Sequence, residues 1–156
     1  MSNTVYKGNY YSGLQGNIPE LVEEGYYGGL VRKMYDSFVL TADLASGDTI
    51  LMGGLLPEGA RLVQCTLTSG ALGGSCTINV GWKAGATGLE AAAPTAFFSA
   101  LPVSSATVAT AHGSTYEGSF YQHVLLEQVQ PVIAENAVSS GGTGQKIQIE
   151  IDYITE

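Results

Sequence analysis

The chain has 156 residues, a formal net charge of −8 and 13% charged residues, where an ordinary domain carries about 25%. That length is one domain, able to bury roughly 70% of its unfolded surface without staples. Its six Lys and Arg form no basic stripe, which excludes nucleic acid as a partner, and its acidity argues against anionic membranes. With 45% hydrophobic residues, no run nears the roughly 20 apolar residues of a membrane span. So little charge on a soluble chain points to surface covered by other subunits, hence a homo-oligomer.

Residues 1–30 form an extended N-terminal arm. MSNTVYKGNY shows no charged and then apolar leader, so no secretory signal is expected. The stretch YKGNYYSGLQGNIPELVEEGYYGG holds five of the nine tyrosines and follows neither strand nor helix periodicity. Within it NIPELVEEG reads as a short helical turn: Asn17 caps, Pro19 fits the first turn, Glu20 is the capping acid and Gly25 ends it. Tyr combines large contact area with a hydroxyl at low entropy cost. The candidate partner-binding residues are therefore Tyr6, Tyr10, Tyr11, Leu14, Ile18, Leu21, Tyr26 and Tyr27. Such an arm either lies across a seam between subunits or folds back over its own domain.

Residues 31–156 read as a β-sandwich domain. VRKMYDSFVL alternates with apolar groups on both faces, as in a strand covered on each side. Asp48–Met52 is a short strand. LLPEGARL follows as a turn, with Pro57 second and Gly59 fourth in a type I geometry. ARLVQCTLTS puts Val63, Cys65 and Leu67 on one face, and GSCTINVGWK puts Cys76, Ile78, Val80 and Trp82 on one face. The short GALG link predicts a hairpin between them, with Cys65 opposite either Cys76 or Ile78. Both thiols point inward as free core groups. Residues 84–115 form a long excursion, with a short helix in LEAAAPTAFFSAL broken at Pro94 and a weak strand in SSATVATA. YQHVLLE and VQPVIA read as strands, Pro131 suiting an edge or bulge. After the SSGGTG loop, QKIQIEIDYITE closes the chain with Ile147, Ile149 and Ile151 inward. Seven or eight short strands without βαβ alternation predict an all-β, jelly-roll-like antiparallel sandwich.

The sequence shows no legible catalytic constellation. His112 and His123 sit in no metal-ligand spacing, so no metal and no cofactor are expected. SSGGTGQK is no phosphate loop, because Gln145 separates Gly144 from Lys146 and a strand follows. Glu23 and Glu24 diverge on their short helix, while Asp43, Asp48 and Glu58 are turn residues. No GxSxG elbow is present, so the chain is not expected to be an enzyme. Trp82 belongs to the core face of its strand.

The block DTILMGGLLPEGARLVQCTLTSGALGGSCTINVGW, with VRKMYDSFVL before it and the alternating strand to Tyr153 after it, resembles tailed-bacteriophage virion proteins. The resemblance spans roughly residues 30–154 and implies a capsid decoration, or cement, protein. It implies a trimer on the outer capsid surface over capsomer junctions, bound to the major capsid protein, made in the host cytoplasm and doing no chemistry. The arm lies outside the resemblance. A glycan-binding or receptor-binding module of a phage fibre or head is the competing reading; it predicts exposed aromatic residues in a cleft.

Overall fold

The computed structural model describes residues 5–7, 30–111 and 123–155, with side chains from residue 31 onward. The strands are β1 (Val5–Lys7), β2 (Leu30–Val39), β3 (Thr49–Leu51), β4 (Arg61–Ser69), β5 (Thr77–Trp82), β6 (Ala93–Pro102), β7 (Thr107–Ala111), β8 (Pro131–Ala137) and β9 (Lys146–Thr155). One sheet runs β2-β9-β4-β7 and the other β1-β3-β8-β5-β6. From β2 on, the chain changes sheet at every connection except β5 to β6, which gives the two-sheet, all-β antiparallel sandwich the strand count predicts. Every pairing is antiparallel except the short β1–β3 edge pair.

The core follows the alternation. β9 is central in its sheet and turns Ile147, Ile149 and Ile151 inward, each fully buried. Cys65, Leu67, Cys76, Ile78 and Val80 join them, and the two thiols are free. Val63 does not. Between Leu62 and Gln64 the β4–β9 register shifts, leaving Val63 as the extra residue of a bulge. The bulge switches strand parity, so Leu62 is buried in its place while Val63 is half-buried.

The predicted hairpin is not formed. β4 pairs with β9 and β7, and β5 with β6 and β8, so the GALG link crosses from one sheet to the other. Leu72, fully buried, plugs the end of the sandwich at that crossing, and Gly73 and Gly74 adopt positive φ. The helix in LEAAAPTAFFSAL is likewise replaced, by β6. Pairing with β5 outweighs alanine's helix propensity, and Phe97 and Phe98 both become buried. A bulge there puts Ala100 at φ 51°, its amide donating to Asn79 Oδ1 at 2.8 Å.

Three smaller differences follow. The PEGA turn is shifted by one: Ala60 N donates to Pro57 O, so Gly59 stands third, at φ 75°, as a type II turn requires. In YQHVLLE, residues 123–127 carry only one isolated bridge, Val124 to Arg61, and Pro131 opens β8 instead of sitting within a strand. The outer face of β2 is open, with Val31 and Val39 61% and 48% exposed; β2 is an edge strand.

Candidate interaction surface

The loops 52–60, 83–92 and 123–130 converge at one end of the sandwich. Their backbones are stitched together. Leu56 and Val129 exchange both hydrogen bonds, and Lys83 N donates to Gln130 O at 3.0 Å. The 126–130 segment therefore runs between the other two loops.

Two carboxylates lock this arrangement reciprocally. Glu90, from the 83–92 loop and 5% exposed, accepts from the Leu126 amide and pairs with His123 Nε2, both at 2.9 Å. Glu127, from the opposing segment, accepts from the amides of Thr87 and Leu89. The Thr87 amide is the main cause holding the Glu127 carboxyl below its ordinary range. Burial opposes it, and the Leu89 and Glu90 amides add to it. Gly85 is required beneath, because a Cβ there would strike the Glu127 carboxylate. His123 stacks on Trp82 with ring centroids 5.6 Å apart, and Trp82 meets Phe97 edge-on at 5.5 Å. Trp82 Nε1 donates to Ala91 O at 3.1 Å, so an apolar floor and polar clamps fix the same loops.

What this scaffold holds outward is apolar. Leu55, Leu89 and Leu126 are 54%, 69% and 61% exposed, and all three line one open groove of about 540 Å³. Lys83 and Glu58 line it as well. Three exposed leucines held on hydrogen-bonded loops make this end of the sandwich the candidate interaction surface, since exposed apolar clusters mark such sites.

Sequence reasoning placed the interaction residues elsewhere. Of its eight candidates, Tyr6 lies in β1, its backbone opposite Ile50. Tyr10, Tyr11, Leu14, Ile18, Leu21, Tyr26 and Tyr27 lie outside the described residues, as do the helical turn, Glu23, Glu24 and His112. His123 is satisfied by Glu90, and Trp82 is a core residue, 3% exposed. The acid–histidine pair and the Glu127 clamp went unforeseen, because their partners lie 33 to 40 residues apart.

Other titratable groups are structural. Asp43 accepts from Gly141 N, Thr143 N and Thr143 Oγ1, which hold its carboxyl low, the Gly141 bond most of all. Asp36, fully buried, ties the Ser37 and Gly53 amides. Asp48 is more than a turn residue: 5% exposed, it takes the Ala45 amide at 3.0 Å. Burial pushes the Cys65 thiol up, with Asp152 adding to it. Burial and then the nearby Glu135 push the Cys76 thiol up to about 11, so neither supplies a thiolate at neutral pH. Among the described residues, no three His, Cys, Asp or Glu cluster as metal ligands.

No protein-family profile and no curated protein matches the chain. Solved structures with the same fold include a chain from the capsid of Ralstonia phage GP4. It superposes with a TM-score of 0.72 at 20% identity, over 98% of this chain and 99% of that one. A chain of the cyanophage Pam1 capsid asymmetric unit superposes with a TM-score of 0.66 at 23% identity, over 88% and 94%. At these identities the likeness establishes a shared β-sandwich fold.

Proposed function

We propose that the protein is a structural virion protein that decorates and stabilises a bacteriophage capsid. It binds the outer surface over capsomer junctions as a homo-oligomer, a trimer, with the major capsid protein as its partner. It is made in the host cytoplasm, ends on the virion and does no chemistry. One observation carries this reading: two chains from phage capsid structures match this fold over nearly their whole length and nearly all of this chain. The sparse charge and the exposed leucines at one end of the sandwich suit a subunit that works in contact with others.

In this reading the arm residues Tyr6, Tyr10, Tyr11, Leu14, Ile18, Leu21, Tyr26 and Tyr27 contact the shell or sister subunits, with Tyr6 carried on the edge strand β1. The glycan-binding alternative finds less support. Trp82, the aromatic it would use as a sugar platform, is 3% exposed beneath Phe97 and His123. The test uses shells lacking the protein. Full-length chain should bind and raise their resistance to heat, and electron microscopy should place it outside. Removing residues 2–28 takes the three-residue edge strand β1 with the arm but leaves β3 paired with β8, so it should leave a folded sandwich that binds at least about tenfold more weakly, as loss of several anchoring aromatics requires. Full-length protein that ignores the shells, or sits inside them, would overturn the proposal.

A further inference from the structure

The groove at the end of the sandwich has a polarity as well as a hydrophobic strip. Leu126 sits on the segment that runs between the other two loops. Glu58 stands on the 52–60 side and Lys83 on the 83–92 side, so an anion and a cation flank the leucines. Among the described residues neither has an ion-pair partner, although Lys33 does, with Glu150 at 2.8 Å. Glu127 lines the groove as well, but each of its oxygens already accepts an amide of its own chain, from Thr87 and from Leu89, whereas among the described residues the Glu58 and Lys83 side chains are held by no such bond. A chain of net charge −8 repels its own copies over most of its surface, and association is favoured where charge balances locally. A leucine strip with one unpaired charge of each sign on opposite flanks is complementary to another copy of itself set head to tail. Such a contact closes into a ring when its rotation allows.

We propose that this groove is the contact between copies of the chain, the leucines of one copy packing on those of the next and Lys83 facing Glu58 of the next. The inference rests on the homo-oligomer of the preceding section and names its surface. Glu90 and Glu127 serve it as positioning residues, because they hold the loops that present Leu89 and Leu126.

The experiment is light scattering after size exclusion on the full chain, with shell binding measured in parallel. The parent should be oligomeric at micromolar concentration. Leu89→Ser with Leu126→Ser should be monomeric and still melt cooperatively, at a temperature that no longer depends on protein concentration, since both side chains face solvent within the chain. Lys83→Glu and Glu58→Lys should each weaken association about tenfold or more, and the double reversal should recover most of the loss, the signature of a direct pair. If the leucine variant fails to fold, the charge reversals decide alone. A monomeric parent, an oligomer indifferent to the leucine change, or reversals that add without recovery overturns the inference. Leucine variants that stay oligomeric but lose the shell assign the groove to the capsid and overturn it too. An oligomer that never binds shells removes the decoration reading and leaves this contact standing.

Discussion

Replacing Glu90 with Ala strikes the clamp from its more buried side. Glu90 accepts two hydrogen bonds, from the Leu126 amide and from His123, both at 2.9 Å, and is itself 5% exposed. A bond to a charged acceptor contributes about 1.5–3 kcal/mol net. Leu126 is 61% exposed and His123 half-exposed, so both released donors regain water and the lower end applies. The expected cost is about 3 kcal/mol, which in a domain of this size lowers the melting temperature by about 6–12 °C. Glu90→Gln keeps an acceptor for the Leu126 amide and should lose about half as much. Thermal melting gives the magnitude, and hydrogen exchange at the Leu126 amide shows whether the loss is local. An Ala variant melting within about 2 °C of the parent, less than one such bond is worth, would refute the clamp.

Ile149 fills the centre of the core from the central strand of its sheet, so Ile149→Ala should cost about 2–5 kcal/mol in urea unfolding. Gly81→Ala points a Cβ at the Ala93 carbonyl across β5 and β6; backbone cannot move aside as a side chain can, so the melt should report a loss of about 1–3 kcal/mol or more. Burial raises the Glu135 carboxyl above its ordinary value of 4.5, the Gly47 amide offsets part of this, and the Asp48 charge adds to it. The folded protein then holds a proton that the unfolded chain has released, so stability should fall as pH rises from the ordinary value through the folded one. Urea midpoints across that window should fall for the parent and stay level for Glu135→Gln.

Much of the fold was legible because strand alternation is local. Ile147, Ile149 and Ile151 turn inward wherever the strand lies, since parity survives any choice of neighbour. Two kinds of information were not local. A bulge changes parity midway, and nothing in RLVQCTLTS marks Val63 as the extra residue. Partner choice is the other. A short glycine-bearing link is equally suited to a hairpin and to a crossing between sheets. The decision falls to β9, which offers β4 eight paired positions that β5 cannot also occupy in the opposite sheet.

The interaction surface was hidden for a related reason. In the sequence Leu55, Leu89 and Leu126 each stand alone in an irregular stretch, and a single exposed leucine carries no signal. They become a surface only when three loops are brought to one end, and three connections that cross or turn there do so: β3 to β4, β5 to β6 and β7 to β8. Glu90 and Glu127 look like solvated loop acids until each is seen to cap the other's loop. Loops meant only to connect could stay mobile, and buried carboxylates would then be a cost without return. Here two are placed where they immobilise the segments bearing the most exposed leucines. Fixed loops lose less entropy on meeting a partner, so the clamps favour association over simple solubility. The same logic makes Glu90→Ala informative twice: it should lower the melting temperature of the isolated chain and weaken the proposed contact between copies, and a variant that melts early yet associates normally would separate the clamp from that proposed interface.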